Sequence, residues 1–188
     1  MASINEITWS IYGCYRLALK DKNALSLFNL SSSGFWTSFS AILLGLIVTL
    51  LQKGIEFNLA STNVSFFQFI TLFGVAIVIS WSCYLLAVGI VSKYMGFSAQ
   101  FSTFVIVYNW SQLAIISIWF LFSILVMGLI GPQAVTLLGL VFIAASYLYL
   151  WYIIVVTLQV SSMLAIALTF MEFLIAIFIQ QALLSAVF

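Results

Sequence analysis

The chain has 188 residues, of which 65% are hydrophobic and only 5% are charged, and its formal net charge is +1. Soluble domains are roughly a quarter charged, so this composition excludes that class and predicts that most of the chain lies in lipid. Five Lys and Arg residues cannot form a concentrated basic face, so we expect no nucleic-acid partner. The chain has no histidine and four widely spaced carboxylates, which argues against a zinc or Ser-His-Asp site. We therefore expect a non-enzymatic protein without cofactors.

The N-terminal segment SINEITWSIYGCYRLALKD predicts an amphipathic helix. Ser3 followed three residues later by Glu6 is a capping-box pattern, and apolar residues recur at helical spacing behind it. Such a helix either lies in the headgroup region or packs under the bundle, and the sequence favours neither. In the first case aromatic rings lie at the interface and basic side chains point to acidic lipid. The predicted interfacial contacts are Trp9, Tyr12, Tyr15, Arg16 and Lys20.

Five apolar stretches are long enough to cross a membrane, which takes about 20 residues. They cover residues 35–51, 66–91, 99–127, 134–157 and 163–186. Gly131 and Pro132 predict the start of the fourth span, because proline suits the first turn of a helix. The division near Gln159 separates the last two spans. The predicted fold is an all-α polytopic bundle of five transmembrane helices (33–188) behind an interfacial, cytoplasmic region (1–32).

The orientation follows from the Lys and Arg residues in the short loops. One side of the predicted topology holds four of them and the other side holds only Lys53. The four are Arg16, Lys20, Lys22 and Lys93. We therefore expect a cytoplasmic N-terminus and a C-terminus on the outer side.

Glu172 is the only formally charged side chain within the predicted spans. Counted along parallel third and fifth spans, Asn109 and Glu172 lie at the same depth, about 14 to 15 Å from one side. Gln112 shares a helical face with Asn109, one turn further in. The predicted intramembrane polar cluster is Asn109, Gln112, Thr169 and Glu172.

Small and polar residues form a stripe on the fifth span, which we expect to pack against the third span. Glu172 within it has two possible roles: a structural contact between helices, or part of a proton or ion pathway. The stripe consists of Ala165, Thr169, Glu172 and Ala176.

Aromatic residues make up 17% of the chain and predict interface belts and lipid-facing surfaces. Those assigned to these surfaces are Phe35, Trp36, Trp81, Tyr84, Tyr94, Trp119, Tyr147 and Trp151.

Three segments carry a resemblance to known proteins: FNLSSSGFWTSF, YNW and YLYLWYIIVVTLQVSS. They resemble a group of uncharacterised alphaproteobacterial five-span inner-membrane proteins, and more distantly the layout is similar to the Yip (Ypt-interacting protein) family. In that bacterial group the fifth span carries a mid-span acid, which Glu172 matches, and the fourth span carries charges, which are absent here. The resemblance implies a bacterial inner-membrane protein without enzymatic activity.

The surface helix, the small outer loops and the expected lack of a soluble domain favour an accessory, assembly or trafficking subunit of a membrane complex. Its expected partners are membrane lipids and other membrane proteins or further copies of the chain. The alternative is a small transporter or channel component with a polar site around Glu172 near the midplane.

Overall fold

The computed structural model describes residues 2–21, 23–57 and 64–187, and these ranges are helical with no strand. Within them, five helices are long and apolar enough to cross a membrane, which confirms the all-α membrane fold. Lys22, which enters the orientation argument, lies outside the described residues. The helices are α1 (Ile4–Ala18), α2 (Ser32–Ser38), α3 (Ser40–Phe57), α4 (Phe66–Met95), α5 (Phe101–Leu129), α6 (Pro132–Leu158) and α7 (Ser162–Val187), with short 3-10 turns at Ala24–Leu27 and Ser98–Gln100.

The helix ends follow local chemistry. Ser65 caps α4 in a capping box with Gln68, and Gly96 ends the helix in the left-handed conformation (φ 82°) that glycine adopts most easily. Pro132 lies in the first turn of α6, as predicted. Gln159 ends α6 with φ 55°, so the predicted division of the last apolar block is confirmed. The first span is longer than predicted: it covers Ser32–Phe57 and includes Lys53.

The five spans pack in a ring. α3 contacts α4 and α5, α5 contacts α6, α6 contacts α7, and α7 returns to α4. We call the half of the ring that contains the turns at Gly96 and Gln159 the near half. The opposite half, which contains the turn at Gly131, is the far half. This ring encloses the candidate site.

The N-terminal region packs against the near half. Ser10, Gly13, Cys14 and Leu17 form the buried face of α1, which lies against α5. The Cys14 carbonyl accepts a hydrogen bond from the Tyr149 hydroxyl (2.8 Å), and the Ser111 hydroxyl donates to its sulfur (3.4 Å). Gly13 permits a close approach, since a Cβ there would lie 2.7 Å from the Phe28 ring. Helix α1 is therefore packed on the spans that follow it.

The near half is filled and the far half is not. On α5 every residue from 104 to 111 is at most 2% exposed. The aromatic rings of Trp81, Tyr84, Phe104 and Tyr108 fill the space between α4 and α5, with Tyr84 and Tyr108 5.1 Å apart. Beyond Ser111, buried residues on α5 become sparse.

Candidate binding cavity

A cavity of about 450 Å³ occupies the far half of the ring. It runs along α7 from Glu172 to Gln180, a distance of about 12 Å at the helical rise per residue. Its walls are mainly apolar, with a few polar side chains. It is lined by Thr49, Gln52 and Lys53 of α3, Gln112, Ile115, Ile116 and Trp119 of α5, Phe142, Ile143, Ser146, Tyr147 and Leu150 of α6, and Glu172, Phe173, Ala176, Ile177 and Gln180 of α7.

Glu172 lies at the inner end of this cavity. Its carboxyl interacts with the Tyr147 side chain, and Tyr84 and Tyr108 lie within electrostatic range of it. Among the described residues that line the cavity, no Lys or Arg forms a salt bridge with Glu172. The carboxyl is therefore surrounded by hydroxyls and by open space.

The aromatic cluster of the near half closes the inner end. Tyr84 is 1% exposed, and its hydroxyl has no hydrogen-bond partner among the described residues. Tyr147 and Glu172 lie within electrostatic range of that hydroxyl. Leaving a buried hydroxyl without a partner costs about 1 to 3 kcal/mol. The cluster packs beside the inner end of the cavity, and its four side chains are not part of the cavity lining.

The other end of the cavity is lined by Lys53 and Gln180. The Lys53 ammonium forms a salt bridge with Glu56 (2.6 Å) and lies 4.9 Å from the centre of the Phe73 ring. Gln52 also donates a hydrogen bond to Glu56 (3.0 Å). The charge of Lys53 is therefore offset by a carboxylate on its own helix.

Asn109 does not contact Glu172, so this part of the predicted cluster is wrong. The Asn109 amide is completely buried, donates to the Ser38 hydroxyl (2.9 Å) and accepts from the Trp81 ring nitrogen (3.0 Å). Equal depth on two helices does not determine which way a side chain points. Asn109 faces α2 and α4, where it joins three helices inside the near half.

The other members of the predicted cluster lie on different surfaces. Gln112 lines the same cavity as Glu172, one turn beyond Asn109. The Thr169 hydroxyl is half-buried and donates to the carbonyl of Ala165 on its own helix. Because α7 packs mainly on α4 and α6, the predicted packing of the Ala165–Thr169–Glu172–Ala176 stripe against the third span is wrong. The structure brings Gln112 and Glu172 to one cavity and leaves Asn109 and Thr169 outside its lining.

The predicted interfacial residues lie on the outer surface of α1. Trp9, Tyr12 and Tyr15 are 55%, 40% and 59% exposed, and their rings contact one another in sequence. Arg16 donates to the Tyr12 hydroxyl and forms a salt bridge with Asp21. The backbone N–H of Asn23 and the Arg16 guanidinium hold the pKa of Asp21 below its usual value. Lys20 is exposed. The other face of α1 packs on α5, which is the predicted arrangement under the bundle, and contact of the exposed residues with lipid stays a prediction.

Ser3 caps α1, as its side chain accepts from the Glu6 N–H (3.1 Å). The Glu6 carboxylate accepts a hydrogen bond from Thr37 instead of completing the capping box. It thereby connects α1 to the start of the first span.

Four aromatic residues lie inside the bundle although the sequence pattern placed them at its outer surface. Trp81 and Tyr84 belong to the interior, and Tyr147 and Trp119 line the cavity, although all four were predicted at lipid-facing surfaces or interface belts. Helical spacing was one available signal for the cavity wall on α7. Glu172, Ala176 and Gln180 recur every four residues, which is the spacing of a single helix face.

Comparison with protein-family models, curated proteins and solved structures gives no significant match to this chain.

Proposed function

We propose that the protein is a small transporter or channel component whose binding site is the cavity at Glu172. One observation carries this proposal: a carboxyl that has no cationic partner among the described residues lies at the inner end of a space of about 450 Å³ between four spans. Ionisable groups within membrane spans commonly belong to ion, proton or solute pathways. The proposed activity moves or admits a solute and includes no covalent reaction.

The shape of the cavity supports access from one side. The near half is closed by the aromatic cluster and by α1, whereas the cavity extends towards Lys53 and Gln180 in the far half. A carboxyl that served only to join helices would be expected in a close contact with a polar partner on another helix. Glu172 makes one such contact, with Tyr147 of α6, but it also faces a volume that can hold several waters or a small molecule. This arrangement is the one expected for a site that is open to one side and closed to the other.

We further propose a cytoplasmic N-terminus in a bacterial inner membrane. Arg16, Lys20 and Lys93 belong to the near half, and Lys53 belongs to the far half, which agrees with the positive-inside rule. The cavity would then open towards the outer side. The bacterial inner membrane itself rests on the sequence resemblance alone.

The hypothesis of an accessory subunit stays a prediction. Exposed apolar side chains such as Leu137 (69%) and Phe178 (70%) would be covered by lipid or by a partner protein alike. The cavity is the feature that lipid-facing packing does not require, and it supports the transport function instead.

Cysteine accessibility tests whether water reaches the cavity from the far side. Ala176→Cys puts a thiol on the cavity wall, and Phe178→Cys puts one on the outer surface of the same helix. Both are made in a Cys83→Ser background, since Cys14 is buried. In oriented vesicles, a charged, membrane-impermeant methanethiosulfonate should modify Ala176→Cys from the far side only. It should leave Phe178→Cys unmodified.

Flux measurement completes the test. Two assays use the purified protein in vesicles. In the first, a potassium diffusion potential drives protons, and trapped pyranine reports the change in internal pH. In the second, uptake is measured for a panel of radiolabelled small organic cations, anions and neutral compounds. We expect proton conduction or uptake of at least one of these solutes. Glu172→Gln should reduce that flux by at least about tenfold, because it removes the charge from the site while preserving its shape. Ala176→Cys that is modified from neither side, together with no flux of any probe, would overturn the proposal.

A further inference from the structure

We propose that the cavity selects a lipophilic organic cation, such as a quaternary ammonium or a protonated amine with an apolar body. This inference rests on the proposed function and specifies its substrate class. The charge balance, the chemistry of the walls and the polar side chains of the lining support it.

The charge balance of the lining favours a cation. Of the two formally charged residues in the lining, Lys53 is paired with Glu56 at 2.6 Å, so its field is largely offset. Glu172 has hydroxyl neighbours and no salt-bridge partner in the described part of the chain. A positively charged ligand supplies the missing countercharge. An anion would face a carboxyl at the point where the cavity ends.

The walls favour an organic ligand over a metal ion. Trp119 and Phe142 pack with ring centres 5.0 Å apart, and Tyr147 and Phe173 pack edge to face at 5.5 Å. Two aromatic pairs thus line the cavity, and the faces of aromatic rings attract ammonium groups. A hard metal ion needs about six oxygen ligands. The five isoleucine and leucine side chains of the lining offer none: Ile115, Ile116, Ile143, Leu150 and Ile177.

The cavity lining adds polar oxygen atoms that suit a cationic head. Gln112, Ser146 and Tyr147 line the same cavity as Glu172 and carry amide or hydroxyl oxygens, which can accept from or face a positive charge. The head group would therefore lie at Glu172 and the apolar body between the ring pairs.

Three probes of similar size test this assignment on purified wild-type protein in detergent. They are benzyltrimethylammonium, benzenesulfonate and benzyl alcohol, and binding is measured by equilibrium dialysis of the radiolabelled compounds. Benzyltrimethylammonium should bind with at least about tenfold higher affinity than either of the others, because it alone pairs with Glu172. Equal or tighter binding of benzenesulfonate or benzyl alcohol would contradict the proposal.

A matched pair of variants locates the charge. Glu172→Gln should lower the affinity for benzyltrimethylammonium by at least about tenfold. Asp21→Asn removes a carboxylate at an exposed salt bridge outside the spans and should leave affinity unchanged within about twofold. If Glu172→Gln does not fold, the three-probe comparison on the wild-type protein decides alone. If the reagent modifies Ala176→Cys but the cation does not bind selectively, the substrate class is refuted and the transport function stands. If the reagent does not modify Ala176→Cys and the cation does not bind selectively, both the substrate class and the transport function are refuted.

Discussion

The near and far halves of the same five helices are packed differently. In the near half, α5 is buried on all sides from 104 to 111 by α1, α2 and the aromatic cluster, and its polar groups are hydrogen-bonded across helices. In the far half, the same helices separate around a cavity with few cross-helix hydrogen bonds among the described residues. The difference indicates that stability is concentrated in the near half and that the binding site is formed where packing is incomplete.

The cause is partly the number of elements that share each half. The N-terminal segment contributes α1 and α2 to the near half, so α5 is surrounded there by α1, α2, α3, α4 and α6. In lipid, apolar surface alone gives little drive for helix association, and close packing with interhelical hydrogen bonds must supply it. The far half lacks the extra elements. Its helices are therefore free to leave a cavity without loss of the whole bundle.

The largest expected effect is at Asn109. Asn109→Leu removes the acceptor of the Trp81 ring nitrogen and one of the two hydrogen bonds of the Ser38 hydroxyl, which still donates to the Phe35 carbonyl. We expect the free energy of unfolding to fall by about 2 to 3 kcal/mol, since two buried hydrogen bonds are lost and the Trp81 N–H stays unpaired. This free energy is measured by unfolding the protein in mixed micelles with increasing amounts of sodium dodecyl sulfate.

Gln112→Leu is the matched control, one turn further along the same helix and on the cavity wall. It removes one interaction, with the Tyr108 side chain, and should lower the free energy of unfolding by about 1 kcal/mol, less than Asn109→Leu, because the cavity lets water replace the lost amide. If the two variants lose equal stability, the proposed division between the halves is wrong.

A second pair of variants replaces one alanine by leucine in each half. Ala41 is completely buried in α3, and Ala176 lines the cavity. Ala41→Leu should destabilise the protein by about 1 to 3 kcal/mol through overpacking. Ala176→Leu has space available and should cost less than about 0.5 kcal/mol, while it reduces binding of benzyltrimethylammonium.

Thermal unfolding in detergent, followed by near-ultraviolet circular dichroism, measures both variants. Equal destabilisation by Ala176→Leu would mean that the space around Ala176 is closed in the folded protein.

The sequence predicts the helices well because their limits are set by local chemistry. Gly96, Pro132 and Gln159 mark ends that the structure contains, and span length follows from the thickness of the bilayer. The rotation of each helix about its own axis was not predictable in the same way. α5, α6 and α7 are apolar on nearly every side, so no hydrophobic stripe indicates which face is inside. That is why Tyr84 and Tyr147 were predicted outside and Asn109 was directed to the wrong helix.

The candidate site was predictable only in part for the same reason. Glu172 stands out by composition, and Gln112 follows from helical spacing. The cavity itself depends on how far α5, α6 and α7 separate, and that distance is determined by side chains such as Trp119 and Phe142 that contact across helices. Lys53 entered the site because α3 continues six residues beyond the predicted end of the first span.

The smallest expected effect concerns how firmly α1 is held on the near half. Burial raises the pKa of the Cys14 thiol to about 12 from 9.0, so the reactive thiolate is scarce at pH 8 and becomes abundant only near pH 12. In a Cys83→Ser background we therefore expect iodoacetamide to alkylate Cys14 slowly at pH 8. Mass spectrometry measures the rate of alkylation. Reaction at pH 8 requires α1 to separate locally from α5.

Tyr149→Phe removes the hydrogen bond to the Cys14 carbonyl, at a cost of about 0.5 to 1 kcal/mol, and should raise the labelling rate about two- to fivefold.

Tyr94→Phe is the matched control for that variant, because Tyr94 is 86% exposed at the end of α4. It should leave the labelling rate of Cys14 unchanged. Fast alkylation in the unmodified protein would show that α1 is not held closed, and the near half would then owe its stability to Asn109 and the aromatic cluster rather than to the N-terminal helix. A slow rate that Tyr149→Phe increases would instead make α1 part of the closed half, with the Tyr149 hydrogen bond as one of the contacts that hold it there.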